Sequence, residues 1–221
     1  MIYTLVLTLI FAALNWLAVW KKWHWLEYIA KPLTLATLLA GFAMLTELKG
    51  ISLWFGLGLL LSLAGDVFLM FSERWFIPGL VSFLLAHVAY IIGFNSPLPP
   101  LNLFGLALAL FIGILAARIL RPILAGLAAK GQSKLRLPVL IYGVAISVML
   151  LSALQTLLRL DWSPLAALLV SLGAALFFLS DVILAWNRFV NPIKSGRVMN
   201  MVAYHLGQIA LAAGVIVQLA R

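Results

Sequence analysis

The chain has 221 residues, of which 65% are hydrophobic and only 10% charged, with a mean hydropathy of +1.16 and a formal net charge of +9. Soluble domains carry about 25% charged residues, so this balance excludes an ordinary soluble enzyme and describes a membrane protein with several spans. The absence of cysteine excludes disulfides, thiolate metal sites and a Cys nucleophile.

Membrane spans need about 20 apolar residues each. Eight stretches qualify: 2–20, 28–46, 51–71, 77–94, 101–118, 137–158, 164–186 and 199–219. The first is read as a retained span rather than a signal peptide, because Lys21 and Lys22 follow it and no basic residue precedes it. Short polar or Pro/Gly-containing turns separate the spans. The longest connection is expected near 119–136, as a loop or interfacial helix held to anionic lipid. The predicted architecture is all-α, a polytopic transmembrane bundle of eight helices forming one domain over 1–221.

Basic residues set the orientation. Numbering connections alternately, Lys21, Lys22, Lys31, Arg74, Arg118, Arg121, Lys130, Lys134, Arg136, Arg188, Lys194 and Arg197 fall on one side. Only Lys49, Arg159 and Arg221 fall on the other. The rich side is expected in the cytoplasm, with both termini on the non-cytoplasmic side. The same rule accounts for the net charge, so no nucleic-acid partner is expected. A bacterial source would place the chain in the inner membrane, a eukaryotic one in an internal membrane. Most of the tryptophans fall near span ends, as an aromatic belt would.

Two acids stand inside spans. Asp66 lies in Gly65-Asp66-Val67-Phe68-Leu69-Met70 of the third span, and Asp181 in Ser180-Asp181-Val182-Ile183-Leu184-Ala185 of the seventh. A charged side chain there is costly unless it faces the bundle interior or a watery cavity, which makes both candidate functional residues. Each is about five residues from the basic end of its span, roughly 7 Å deep at 1.5 Å per residue. His87, Tyr90, Tyr142, Asn200, Tyr204, His205, Gln208 and Lys31 enter from that same end. One polar cavity open on that side is the economical reading. The two Asp motifs recur at an offset of 115 residues, each followed by a span holding His and Tyr. This echo is compatible with a parallel 4+4 repeat. The chain has three histidines and no His-Glu-x-x-His pattern, so no metal or other cofactor is expected.

Together with Lys31-Pro32-Leu33-Thr34, Phe83-Leu84-Leu85-Ala86-His87-Val88-Ala89-Tyr90 and Tyr204-His205-Leu206-Gly207-Gln208, the two Asp motifs resemble the YhhN-type lysoplasmalogenase family of multi-span membrane proteins. The likeness covers nearly the whole chain. It implies hydrolysis of the vinyl-ether bond of lysoplasmalogens, giving a fatty aldehyde and a glycerophospho-headgroup, with a lysophospholipid and membrane lipids as the partners.

That chemistry needs an acid to protonate carbon and a second group to activate water and offset positive charge. Two carboxylates in different environments can divide those roles, as in glycoside hydrolysis. Asp66 and Asp181 are the candidates, with the order of roles left open. His205 or Tyr204 is expected to orient water or substrate and Gln208 to hydrogen-bond it. Lys31 and Arg188 are expected to bind phosphate. Asn187, His87 and Tyr142 complete the substrate-binding candidates, with helix packing as the plainer reading for His87 and Tyr142. Two other functions fit the same features: a small proton-coupled transporter, or a non-catalytic lipid-binding membrane protein. A cavity confined to one end separates the hydrolase from the transporter.

Overall fold

The computed structural model of the chain describes residues 2–100 and 102–221. Eight α-helices account for nearly all of them: α1 (Ile2–Lys21), α2 (His24–Thr46), α3 (Ile51–Met70), α4 (Phe76–Phe94), α5 (Leu103–Ala129), α6 (Arg136–Gln155), α7 (Pro164–Ala185) and α8 (Gly196–Leu219). All eight are long and apolar enough to cross a membrane. At 1.5 Å per residue a 20-residue helix spans about 30 Å, the hydrocarbon thickness. Backbone polar groups must be satisfied within each segment in lipid, which favours unbroken helices.

Local chemistry sets the ends. Asn102 caps α5 by accepting from the Gly105 amide at 2.7 Å, and Ser163 caps α7 by accepting from the Ala166 amide at 3.2 Å, with Pro164 in the first turn. Both residue types favour an N-cap because their short side chains reach the free amides.

Two connections differ from expectation. The stretch 119–129, expected as part of a loop or a separate interfacial helix, is the last three turns of α5, which runs through Pro122. Arg118 and Arg121 suggested a polar connection, but both point outward. The opposite face of the same turns buries Ile123 and Leu127 against Val139 and Phe189. That burial carries the helix past the basic pair. After α7, residues Trp186–Val190 continue as one π-helical turn instead of a plain loop.

The main core is aromatic and aliphatic, with Phe42, Phe55, Tyr90, Phe94, Phe177 and Leu211 among its buried members. The pair α7 and α8 meets backbone to backbone. A Cβ on Gly173 would lie 2.7 Å from the Leu211 amide nitrogen, and one on Gly207 would lie 2.9 Å from the Gly173 carbonyl. Small residues replace the missing hydrophobic drive between membrane helices with close van der Waals contact. This contact fixes Asp181 on α7 relative to Tyr204 on α8.

The end of the bundle away from the acids is bridged by polar clamps. Arg159 grips Asp161 through two nitrogens, at 3.0 and 2.6 Å, and also donates to the Phe94 carbonyl at 2.7 Å. Those bonds hold the Asp161 carboxyl below the usual carboxylate range. Gln218 bridges the same turn, donating to the Asp161 carbonyl and accepting from the Ser163 amide.

Candidate active site

The site lies where α2 and α8 begin and α3 and α7 end. Here a cavity of about 340 Å³ is lined by both Asp66 and Asp181. Its other polar walls are Lys31, Ser180, Asn200 and Tyr204, with Glu27, Tyr28, Asn187, Arg188 and Arg197 nearer the mouth. Every one of these residues comes from the same end of its helix, so depth counting along the spans located the cavity correctly.

The two acids have different surroundings. Asp66 is 1% exposed. Its Oδ1 sits 3.1 Å from Lys31 Nζ, and its Oδ2 accepts from the Tyr204 hydroxyl at 2.7 Å. Lys31 is itself 8% exposed. The pair is therefore a buried cation–carboxylate contact in which a hydrogen bond satisfies the second oxygen. Three helices, α2, α3 and α8, are joined by it.

Asp181 is 14% exposed on its side chain and pairs with no Lys or Arg among the described residues. Its Oδ2 accepts from the Tyr142 hydroxyl. His87 lies behind, with Nε2 3.0 Å from that hydroxyl and 3.5 Å from Asp181 Oδ2. Because Tyr142 donates to the acid, the hydrogen on His87 Nε2 is assigned to the Tyr142 oxygen. The result is a line of hydrogen-bonding groups, His87 to Tyr142 to Asp181, drawn from α4, α6 and α7. Asn200 completes this wall by donating to the Ser180 carbonyl at 2.6 Å.

Not every residue expected at the site faces it. His205 is fully buried behind Tyr204, and its Nδ1 accepts from the Trp16 indole at 3.1 Å. It does not line the cavity. One residue of helix turns a side chain about 100°, so Tyr204 points to Asp66 and His205 to α1. Gln208 is also fully buried, and its Oε1 accepts from the Tyr90 hydroxyl at 2.7 Å. It supports the helix contact behind Tyr204 and does not meet the cavity. Lys31 is engaged with Asp66 inside the pocket rather than free at its rim. Arg188 does stand at the mouth, 3.4 Å from Glu73 and with its guanidinium carbon 4.2 Å from the Phe76 ring centre. Asn187 lines the mouth while its Oδ1 accepts from the Ile193 amide at 2.7 Å.

His24, Glu27, Tyr28 and Arg197 also line the cavity without having been assigned to it from the sequence. Glu27 and Arg197 pair across the mouth at 2.7 Å, and the Tyr28 hydroxyl donates to the Met70 carbonyl at 2.8 Å. Glu27 and Arg197 sit in the first turns of α2 and α8, where charge is commonplace, so only the tertiary pairing distinguishes them.

A family model described as the YhhN family matches residues 26–215. Lysoplasmalogenase TMEM86B of Homo sapiens is 30% identical over 156 residues, covering 69% of this chain and 59% of that protein. Lysoplasmalogenase TMEM86A of Homo sapiens is 31% identical over 166 residues, covering 70% and 62%. A lysoplasmalogenase homolog of Dictyostelium discoideum is 27% identical over 198 residues, covering 74% and 63%. The alignments thus span about three fifths of the length of these curated relatives. No solved structure matches the chain.

Removing one partner of a buried ion pair leaves the other charge uncompensated, at a cost of about 3–5 kcal/mol. Lys31→Met is therefore expected to lower stability by roughly 3 kcal/mol. The double variant Lys31→Met/Asp66→Asn should recover most of that loss. Thermal unfolding of the detergent-purified proteins measures both; equal stability of the two variants would dissociate Lys31 from Asp66.

Proposed function

The chain belongs to the YhhN family, an integral multi-pass membrane protein family, and from that premise we propose that it hydrolyses the vinyl-ether bond of lysoplasmalogens. The products are a fatty aldehyde and a glycerophospho-headgroup. The observation that carries this reading is the placement of two carboxylates with unlike partners in one cavity, far from the clamped opposite end. A carrier would want polar groups along a path to both faces, and the cavity lining comes from one end alone.

The unlike partners suggest the division of roles. Asp181 pairs with no Lys or Arg among the described residues and meets Tyr142 and His87 instead, which suits it to carry the acid proton. Its Oδ2 accepts from Tyr142, while its Oδ1 has only the long 3.4 Å contact from the Ser180 hydroxyl and is the oxygen assigned the acid proton. Asp181 gives that proton to the vinyl carbon remote from the ether oxygen, and the adjacent carbon becomes an oxocarbenium ion. Asp66, held by Lys31 and Tyr204, is the group placed to offset the positive charge as it develops. Water adds to the cation while Asp181, now a carboxylate, takes a water proton and is restored. The hemiacetal then collapses to aldehyde and the glycerol hydroxyl. The sum consumes one water. Arg188 and Arg197 at the mouth are suited to the phosphate.

General acid catalysis contributes about 10²–10⁴-fold. Purified protein is expected to release aldehyde from lysoplasmalogen, and Asp181→Asn to lower kcat by about 10³-fold. Asp66→Asn should lower kcat by about 10²–10³-fold, the effect of losing one electrostatic stabiliser. Absence of aldehyde from the wild-type protein would refute the activity. Full turnover in either variant would remove that residue from the mechanism.

The skew of Lys and Arg toward one set of connections supports a cytoplasmic mouth and both termini outside. Since the chain has no cysteine, a single Ser72→Cys in the exposed α3–α4 turn is a clean reporter. A membrane-impermeant maleimide should label it only from the cytoplasmic side; labelling only from outside would invert the orientation.

A further inference from the structure

The polar cavity is not the only space that reaches Asp181. A narrow apolar slot of about 80 Å³ lies against it, walled by Leu80, Phe83, Ile119, Tyr142, Gly143 and Ile146 among others. Slot and cavity share Leu69, Phe83, Asp181, Leu184 and Arg188. Asp66 borders the cavity but not the slot. At its other end the slot shares Ala116, Leu120 and Ser147 with a groove on the outer face between α5 and α6. That groove is largely apolar, with Ile112, Gly113, Val144 and Val148 along it and Arg121 as its one charged residue.

We infer that the alkenyl chain of the substrate threads this track, from Asp181 through the slot to the lipid-facing groove between α5 and α6, and that Ala116 sets the length of chain accepted. The inference rests on the vinyl-ether reading above. It commits to a hydrocarbon occupant because the walls are otherwise apolar, the groove's one charged residue, Arg121, being exposed. Asp181 and Arg188 stand only at the cavity end, and the two hydroxyls of the slot are already engaged. Tyr142 donates to Asp181, and Ser147 donates to the Gly143 carbonyl at 2.6 Å.

The packing of α5 fits a lateral doorway. Its two ends are held. Asn102 caps the first turn, and at the other end a Cβ on Gly126 would fall 2.0 Å from the Phe189 carbonyl. Its buried residues are Gly105, Ile112, Ile123 and Leu127, so the stretch between Ile112 and Ile123 is loosely covered. Gly113, Ala116 and Ala117 in that stretch leave width beside α6. A chain lying here places the vinyl carbons at the junction of slot and cavity, with the glycerophospho end in the polar part. Asp181 stands at that junction, which accounts for its role as the acid that meets carbon.

Each methylene moved from water into such a slot is worth about fourfold in binding. Ala116→Phe plugs the shared wall and is expected to displace roughly two methylenes. The ratio of kcat/KM for long-chain over short-chain lysoplasmalogens should then fall by at least tenfold. Leu110→Phe, on the outward face of the same helix, should leave the ratio unchanged. A ratio unmoved by Ala116→Phe, or one moved equally by both variants, overturns the inference. A second readout is independent of turnover. A non-hydrolysable lysophospholipid carrying a terminal diazirine should label the wild-type protein within 109–124 or 140–151. Labelling confined to other helices overturns the slot. If aldehyde release fails while this labelling succeeds, the hydrolase reading falls and the chain slot stands.

Discussion

The contact between Lys31 and Asp66 is the constraint on which the site depends. A carboxylate within a span is costly unless it is paired and hydrogen-bonded. Asp66 meets both conditions, through Lys31 on α2 and Tyr204 on α8. Each partner reaches it from a different helix. The cavity wall therefore exists only when α2, α3 and α8 are assembled together. The backbone contact between Gly173 and Gly207 extends the same constraint to α7, and through it to Asp181.

The asymmetry between the acids follows from what surrounds them. One is enclosed with a fixed cation; the other faces tyrosine and histidine and keeps a partly open side. The site thus sets the two carboxyls against different contacts: Lys31 and Tyr204 meet Asp66, and Tyr142 and His87 meet Asp181. Under the proposed hydrolysis, positive charge developing on a substrate carbon between them would meet groups already in place, the arrangement on which electrostatic catalysis relies. The same arrangement explains why His87 is buried so far from the mouth. It does not line the cavity; its Nε2 lies 3.0 Å from the Tyr142 hydroxyl, which donates to Asp181.

Much of this was legible because a helix has a fixed rise. Counting residues from the basic ends placed Asp66, Asp181, Lys31, Asn200 and Tyr204 at one depth, and short connections forced neighbouring helices to be antiparallel. Facing direction was harder. His205 follows Tyr204 directly, yet the turn of one residue sends it to Trp16. Gln208 is one turn beyond Tyr204 on the same face, but too deep to reach the cavity once Tyr90 claims it. In α5, Arg118 and Arg121 read as a loop because charge usually ends a span; the buried turn around Ile123 and Leu127 was visible only once Phe189 packed against it. The slot beside Asp181 left no mark in the sequence, since Gly113, Ala116 and Gly143 are ordinary residues for a span and acquire meaning only from the gap they leave together.

The division of roles between the acids can be probed by chemical rescue. In Asp181→Gly, formate has a path through the open cavity and can replace the lost carboxyl as proton donor. In Asp66→Gly, the position is enclosed by Lys31 and Tyr204, and the missing group acts through fixed charge. The account predicts that formate restores aldehyde release from lysoplasmalogen in Asp181→Gly and leaves Asp66→Gly inactive. Restoration in Asp66→Gly with none in Asp181→Gly would contradict it.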